Sequence, residues 1–219
     1  MTRPRPFPEK LGGFSLIEVL VSLMIIVFGL LGLAGLQVRI QQAEFESYQR
    51  AQAIVLLQDM VDRIHMHKIT SSCFRFTSNT TNGSPFLGTG GAAVPLCSAS
   101  GANDNARATE ALAEWRDLLL GAAEDLGGSS VGAMAGARGC VSYDPATELT
   151  DPVTAAAIPD TGLYLVAISW KGTTDTFAPT RLLPDGTQTS LNCGNDNALY
   201  GAETRRRAIS TTFRLARLN

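Results

Sequence analysis

An uninterrupted apolar run with a carboxylate at its edge limits this chain more than any other feature. From residue 19 to residue 36 the only polar side chain is Ser22, and Glu18 stands immediately before the run. About eighteen such residues lie near the lower end of what crosses a bilayer core as a helix, and adding residues 14–18 gives a comfortable span. Arg3, Arg5 and Lys10 precede the run, which places this end in the cytoplasm and the remainder of the chain outside. A secretory signal peptide would need a shorter apolar core closed by a small-x-small cleavage site. Here the run is longer and continues into a helical pattern. A plain signal anchor explains the length and the orientation but leaves Glu18 without a reason. A carboxylate at the edge of a membrane helix costs roughly 2.5–3.5 kcal/mol if it sits deep, so it needs a partner. No Lys or Arg lies in the following two turns. The partner therefore comes from another molecule or from a newly made amine. Cleavage between Gly13 and Phe14 would create such an amine, four residues before Glu18.

Those residues carry a family resemblance. A short basic leader ending in Gly13, then FSLIEVLVSL with Phe14 first and Glu18 fifth, resembles the leader and N-terminal segment of type IV prepilins. The resemblance implies that a membrane prepilin peptidase cuts after Gly13 and methylates the amine of Phe14. It implies that Glu18 attracts the N-terminal amine of a neighbouring subunit during assembly. Two opposite charges in an apolar filament core satisfy one another, whereas either alone is costly.

The helical pattern continues past the apolar run. Ile40, Ala43, Ser47, Ala51, Ile54, Val61 and Ile64 recur three, four or seven apart, with polar residues between them. No proline occurs from residue 14 to residue 70, so one helix roughly 80 Å long is expected. Its first half needs lipid or filament neighbours, and its second half needs a domain to cover the apolar stripe. Gly29, Gly32 and Gly35 fit either close helix packing or ordinary membrane-helix glycine.

Residues 70–105 are rich in Ser, Thr, Asn and Gly and predict a long loop. Residues 109–126 predict a second helix, with Leu112, Trp115, Leu119 and Leu120 at helical spacing and Trp115 as core. Residues 127–139 form a glycine-rich connection without the GK[ST] of a phosphate loop. Strand patterns follow at 140–143, 162–170 and 208–216, with a short strand near Arg181. In the clearest of them Leu163, Leu165, Ala167 and Ser169 share one face, and Tyr164, Val166, Ile168 and Trp170 the other. Strands joined only by loops predict an antiparallel sheet, and a helix packed on it an α+β fold. The expected organisation is a leader at 1–13, a transmembrane or filament-core helix at 14–38 and its amphipathic continuation at 39–69. A loop region with a second helix follows at 70–139, and the sheet at 140–219.

The four cysteines Cys73, Cys97, Cys140 and Cys193 form no CxxC pair, and His65 and His67 face different ways on a helix, so a zinc site has little support. An even number of spaced cysteines beyond a membrane segment fits disulfides in an oxidising compartment. Sequence alone does not separate the three possible connectivities. Cys73–Cys97 and Cys140–Cys193 are the expected pairs because each closes a local unit. A net charge of −2 argues against a nucleic-acid binder. The dense basic run Arg205-Arg206-Arg207 is expected as the solvated start of a strand. Asp196, flanked by Asn195 and Asn197, fits a solvated turn better than a calcium loop. No HExxH, GxSxG or evident nucleophile–base pair points to an enzyme, and no cofactor is expected.

More narrowly, FGLLGLAGLQ, ALAEWRDLL, RGCVSYD, GLYLVAISWKG and RRRAISTTFRL make the chain similar to PilV-type minor pilins. Major pilins of the best-known type carry Pro where Gly35 stands, which leans towards a minor component. The resemblance implies a pilin-like fold, a single-pass inner-membrane stage with a periplasmic domain, and then a pilus. Its implied partners are prepilin peptidase, other minor pilins, the major pilin, the inner-membrane assembly machinery and, before assembly, lipid. It implies a role in priming pilus assembly, for attachment and twitching motility. Type II secretion pseudopilins share the same N-terminal chemistry, and a membrane-anchored periplasmic enzyme is the remaining alternative.

Overall fold

The computed structural model describes residues 13–216 apart from Val131, Ala133, Pro184 and Asp196. Arg3, Arg5 and Lys10, in the stretch expected as a leader, and Asp196 therefore lie outside the described residues. The chain divides into two units, residues 1–45 and 46–219.

In the first unit, helix α1 (Leu16–Met66, which runs on into the second unit) begins after residues 13–15, which belong to no helix or strand. The Ser15 carbonyl accepts the amides of Glu18 and Val19 at 3.0 and 3.3 Å, closing the first turn. The helix is apolar all round here and is long and apolar enough to cross a membrane. Its side chains stay exposed, for example Ile25 at 67% and Phe28 at 69%.

The second unit is an α+β domain. Its principal sheet has the order β1-β4-β5-β8, antiparallel throughout, from β1 (Leu87–Gly88), β4 (Arg138–Asp144), β5 (Leu163–Lys171) and β8 (Arg206–Arg214). Two small hairpins flank it: β2 (Asp125–Leu126) with β3 (Ser129–Ser130), and β6 (Thr180–Leu182) with β7 (Gln188–Ser190). Helix α2 (Ala102–Leu119) and the C-terminal turns of α1 cover one face of the sheet.

The alternation in β5 decides which face is which. Tyr164, Val166, Ile168 and Trp170 are buried against Ala53, Leu57, Met60 and Ile64 of α1 and Leu112, Trp115 and Leu119 of α2. Each of the larger side chains contributes about 2 kcal/mol on burial. On the opposite face Ala167 joins Cys140, Leu191 and Cys193 in a smaller cluster. Both disulfides are formed, Cys73–Cys97 and Cys140–Cys193, spanning 24 and 53 residues. On the loop-entropy account they stabilise by about 3.5 and about 4 kcal/mol. Reduction is accordingly expected to lower the melting temperature of the domain by well over 10 °C, read by circular dichroism with and without reductant. An unchanged melting curve would show that neither crosslink limits the unfolded chain.

Several expectations shift. The buried stripe of α1 is Gln49, Ala53, Leu57, Met60 and Ile64, and among the predicted positions Ala51 and Ile54 are exposed. Gln49, a polar residue at 1% exposure, hides the true line from a hydrophobic pattern. The helix ends at Met66, three residues before the expected boundary, and turns into a 3-10 helix at Lys68–Phe74. The second helix is displaced towards the N-terminus, to Ala102–Leu119 instead of 109–126. Its polar start has the composition of a loop, yet Asn105 ties the first turn to the residue before the Gly101 cap. Its side chain accepts from the Ser100 amide at 2.9 Å and donates to the Ser100 carbonyl at 2.6 Å. Gly121, at φ +96°, stops it: its amide bonds Leu118 O at 3.0 Å, and the Ala122 amide bonds Asp117 O at 2.9 Å. That is the paired geometry of a glycine-terminated helix. The glycine-rich connection holds the β2–β3 hairpin, because Gly127 and Gly128 both take positive φ in a two-residue turn. The expected loop 70–105 contains β1 and most of the 3-10 helix. Arg206 is not solvated: its side chain is 1% exposed, pairs with Glu203 at 2.7 Å and donates to Leu191 O at 2.8 Å.

Candidate assembly site at the N-terminal helix

Gly13 and Phe14 lie outside regular secondary structure just before α1, and Phe14 is 86% exposed. No described residue lies within 4 Å of where a Cβ on Gly13 would point. Glu18 is the acidic residue of the first helical turn. There a carboxylate faces unpaired amide groups and stabilises the helix start by about 0.3–1 kcal/mol. Its side chain makes no hydrogen bond or ion pair with any described residue. The next polar side chain, Ser22, is satisfied locally, its hydroxyl donating to Val19 O at 2.8 Å. Gly29, Gly32 and Gly35 have open space at every Cβ position, so another helix can approach their backbone closely.

The remaining predicted residues belong to the second unit. The four cysteines are consumed in the two disulfides of the domain. His65 packs its ring on Phe213 at 5.0 Å between centroids, and His67 on Phe74 at 5.7 Å. Among the described residues no group of three or more His, Cys, Asp or Glu side chains is arranged to hold a metal ion.

The domain contains polar clusters that the sequence did not announce. Glu46 of α1 takes the loop after β5: its Oε1 accepts the Thr173 amide at 2.9 Å and the Thr173 hydroxyl at 2.6 Å. Arg207 approaches the same oxygen at 3.4 Å. Burial pushes the Glu46 carboxyl up, but the Thr173 and Thr174 donors and the Arg207 charge outweigh it and hold it below the usual 4.5. Arg75 pairs with Asp160, donates to the Tyr164 hydroxyl at 3.0 Å and lies 3.7 Å over the Tyr143 ring. Burial, and the bond from its hydroxyl to Glu148 at 2.5 Å, push Tyr143 up to about 12. These contacts join residues up to 161 positions apart, and no local spacing encodes them.

A depressed carboxyl stabilises the fold while it is ionised. The Glu46 contribution is complete above the ordinary glutamate range and is lost as pH falls through its lowered folded value. Wild type is therefore expected to lose thermal stability relative to Glu46→Gln between about pH 5 and pH 3. Parallel melting curves for the two proteins across that window would remove Glu46 as a contributor.

Comparisons with protein-family profiles, with curated proteins and with solved structures give no match to this chain.

Proposed function

We propose that the chain is a minor pilin of a type IV pilus, of the PilV type. Prepilin peptidase cuts it after Gly13 and methylates Phe14, and it enters the filament through α1. With other minor pilins it primes assembly of the major pilin, in the service of attachment and twitching motility. The observation that carries this reading is the Glu18 carboxylate, without a partner among the described residues, at the first turn of an apolar helix that starts just after Gly13-Phe14. Cleavage supplies an amine one turn away on every copy, so the amine of one subunit answers the carboxylate of the next. Before assembly the apolar helix rests in the inner membrane, and two disulfides suit a domain on the oxidising periplasmic side.

The experiment is a deletion strain, with and without complementation, scored for pili recovered by shearing and for secreted exoproteins. Loss of pili with normal secretion is the expected result. Normal pili with blocked secretion would overturn it and place the chain among the pseudopilins of type II secretion.

A further inference from the structure

β8 is the open edge of the principal sheet. β5 pairs with it on one side along Arg206–Arg214, and among the described residues no strand pairs with it on the other. In an antiparallel ladder every second residue turns its N–H and C=O away from the neighbour. Among the described residues nothing bonds those outward groups between residues 207 and 214. Folded domains blunt such an edge with charge, proline or a bulge. Here the register to β5 is unbroken from end to end, and Ala208-Ile-Ser-Thr-Thr-Phe213 holds neither charge nor proline.

Both sides of this edge are hollow. Beside the face that carries α1, a cleft of about 370 Å³ is lined by Arg50, Trp170, Arg207 and Ile209. On the opposite face a cleft of about 380 Å³ is lined by Arg181, Leu191, Ala208, Ser210 and Thr212. A strand added at β8 sends alternate side chains into the one cleft and into the other. Each cleft also holds one arginine, Arg50 or Arg181, that makes no hydrogen bond or ion pair among the described residues. Glu46 borders the first cleft, but its Oε1 is taken up by Thr173, Thr174 and Arg207.

We infer that β8 receives an extended segment of a partner protein as a fifth strand, one that presents a carboxylate on each of its faces, to Arg50 and to Arg181. The two acidic residues lie an odd number of positions apart, because they point to opposite faces. Charge separates this occupant from a second copy. The strand Arg206–Arg214 contains no acidic residue, so the β8 of a second copy would bring no carboxylate to Arg50 or to Arg181. The inference stands on the domain alone and does not depend on the chain being a pilin.

The test uses the full chain in detergent micelles and a fluorescein-labelled ten-residue peptide of alternating Thr and Val with one Glu on each face. At low salt the peptide is expected to bind at least tenfold more tightly than its Lys counterpart, with the order reversed in the R50E/R181E protein. On saturation the alternate outward amides within residues 207–214 should exchange at least tenfold more slowly. N-methylating alternate amides along one edge of the peptide should abolish binding, and along the other edge leave it. Equal affinity of the Glu and Lys peptides, equal tolerance of both methylation patterns, or binding that leaves β8 exchange unchanged would each overturn the inference. So would protection of those amides that rises with protein concentration and needs no peptide, which would make a second copy the occupant.

Discussion

Glu18→Ala is expected to leave the cut after Gly13 intact and to lower the content of this chain in sheared filaments by at least about tenfold. In the free chain the Glu18 carboxylate has no partner among the described residues, and its helix is exposed along the whole apolar segment. Packing that segment among other helices removes the carboxylate from water. An unpaired buried charge costs several kcal/mol, and a docked amine recovers it. Every 1.4 kcal/mol lost at the contact is about a tenfold loss of affinity, so a modest deficit is enough to exclude the subunit. A second explanation has to be separated, since a first-turn carboxylate also stabilises its own helix. Moving the acid one position, with Glu18→Leu and Val19→Glu together, keeps a carboxylate in the first turn but turns it about 100° around the axis. That double variant should still be cut and should still be excluded. Recovery of normal incorporation would reduce Glu18 to a helix-start residue. Normal incorporation of Glu18→Ala itself would end the proposed role. The cut is read from the N-terminal mass, so a failure of processing cannot pass for a failure of assembly.

What was legible in the sequence and what was not divide along physical lines. The apolar run, the α+β arrangement, the two-faced alternation of β5 and the core role of Trp115 depend on short-range periodicity, and the structure carries all of them. Glu18 was conspicuous because its cost is local: a charge beside eighteen residues with no other ionisable group. The helix boundaries failed where capping overrides composition. Asn105 has the composition of a loop but ties the first turn of α2 to Ser100, and Gly121 stops the helix by its positive φ. The α1 stripe failed because one of its buried positions is Gln49, whose amide finds no partner among the described residues. Arg206 and Glu46 failed for a different reason. Their neighbours come from strands and loops brought together only by the completed sheet, and a triple-arginine spelling looks the same in solvent and in a core.

The most damaging single change to the domain is expected at Gly139. A Cβ there would lie 2.0 Å from Cη2 and 2.5 Å from Cζ3 of Trp115, and 2.9 Å from Leu119 Cδ1. None of these partners has room to retreat. Trp115 is fully buried and is held by its indole N–H, which donates to Leu56 O of α1 at 2.9 Å. β4 is paired on both sides, Gly139 standing opposite Leu87 of β1 and Ile168 of β5, so its backbone cannot swing away. Gly139→Ala should therefore cost about 3 kcal/mol or more by overpacking, read as a fall in denaturation midpoint. Trp115→Phe should cost less, about 1–3 kcal/mol, from a smaller ring and the lost indole bond. The two changes act on the same space, so the double variant should be more stable than the sum of the single costs implies, by at least about 1 kcal/mol. Strict additivity would mean that the indole ring is not what Gly139 makes room for. A coupling of that size would locate the contact through which α1, α2 and the sheet are held as one body. The domain's fixed shape would then rest on a glycine that no periodicity identifies, in the strand that also carries Cys140.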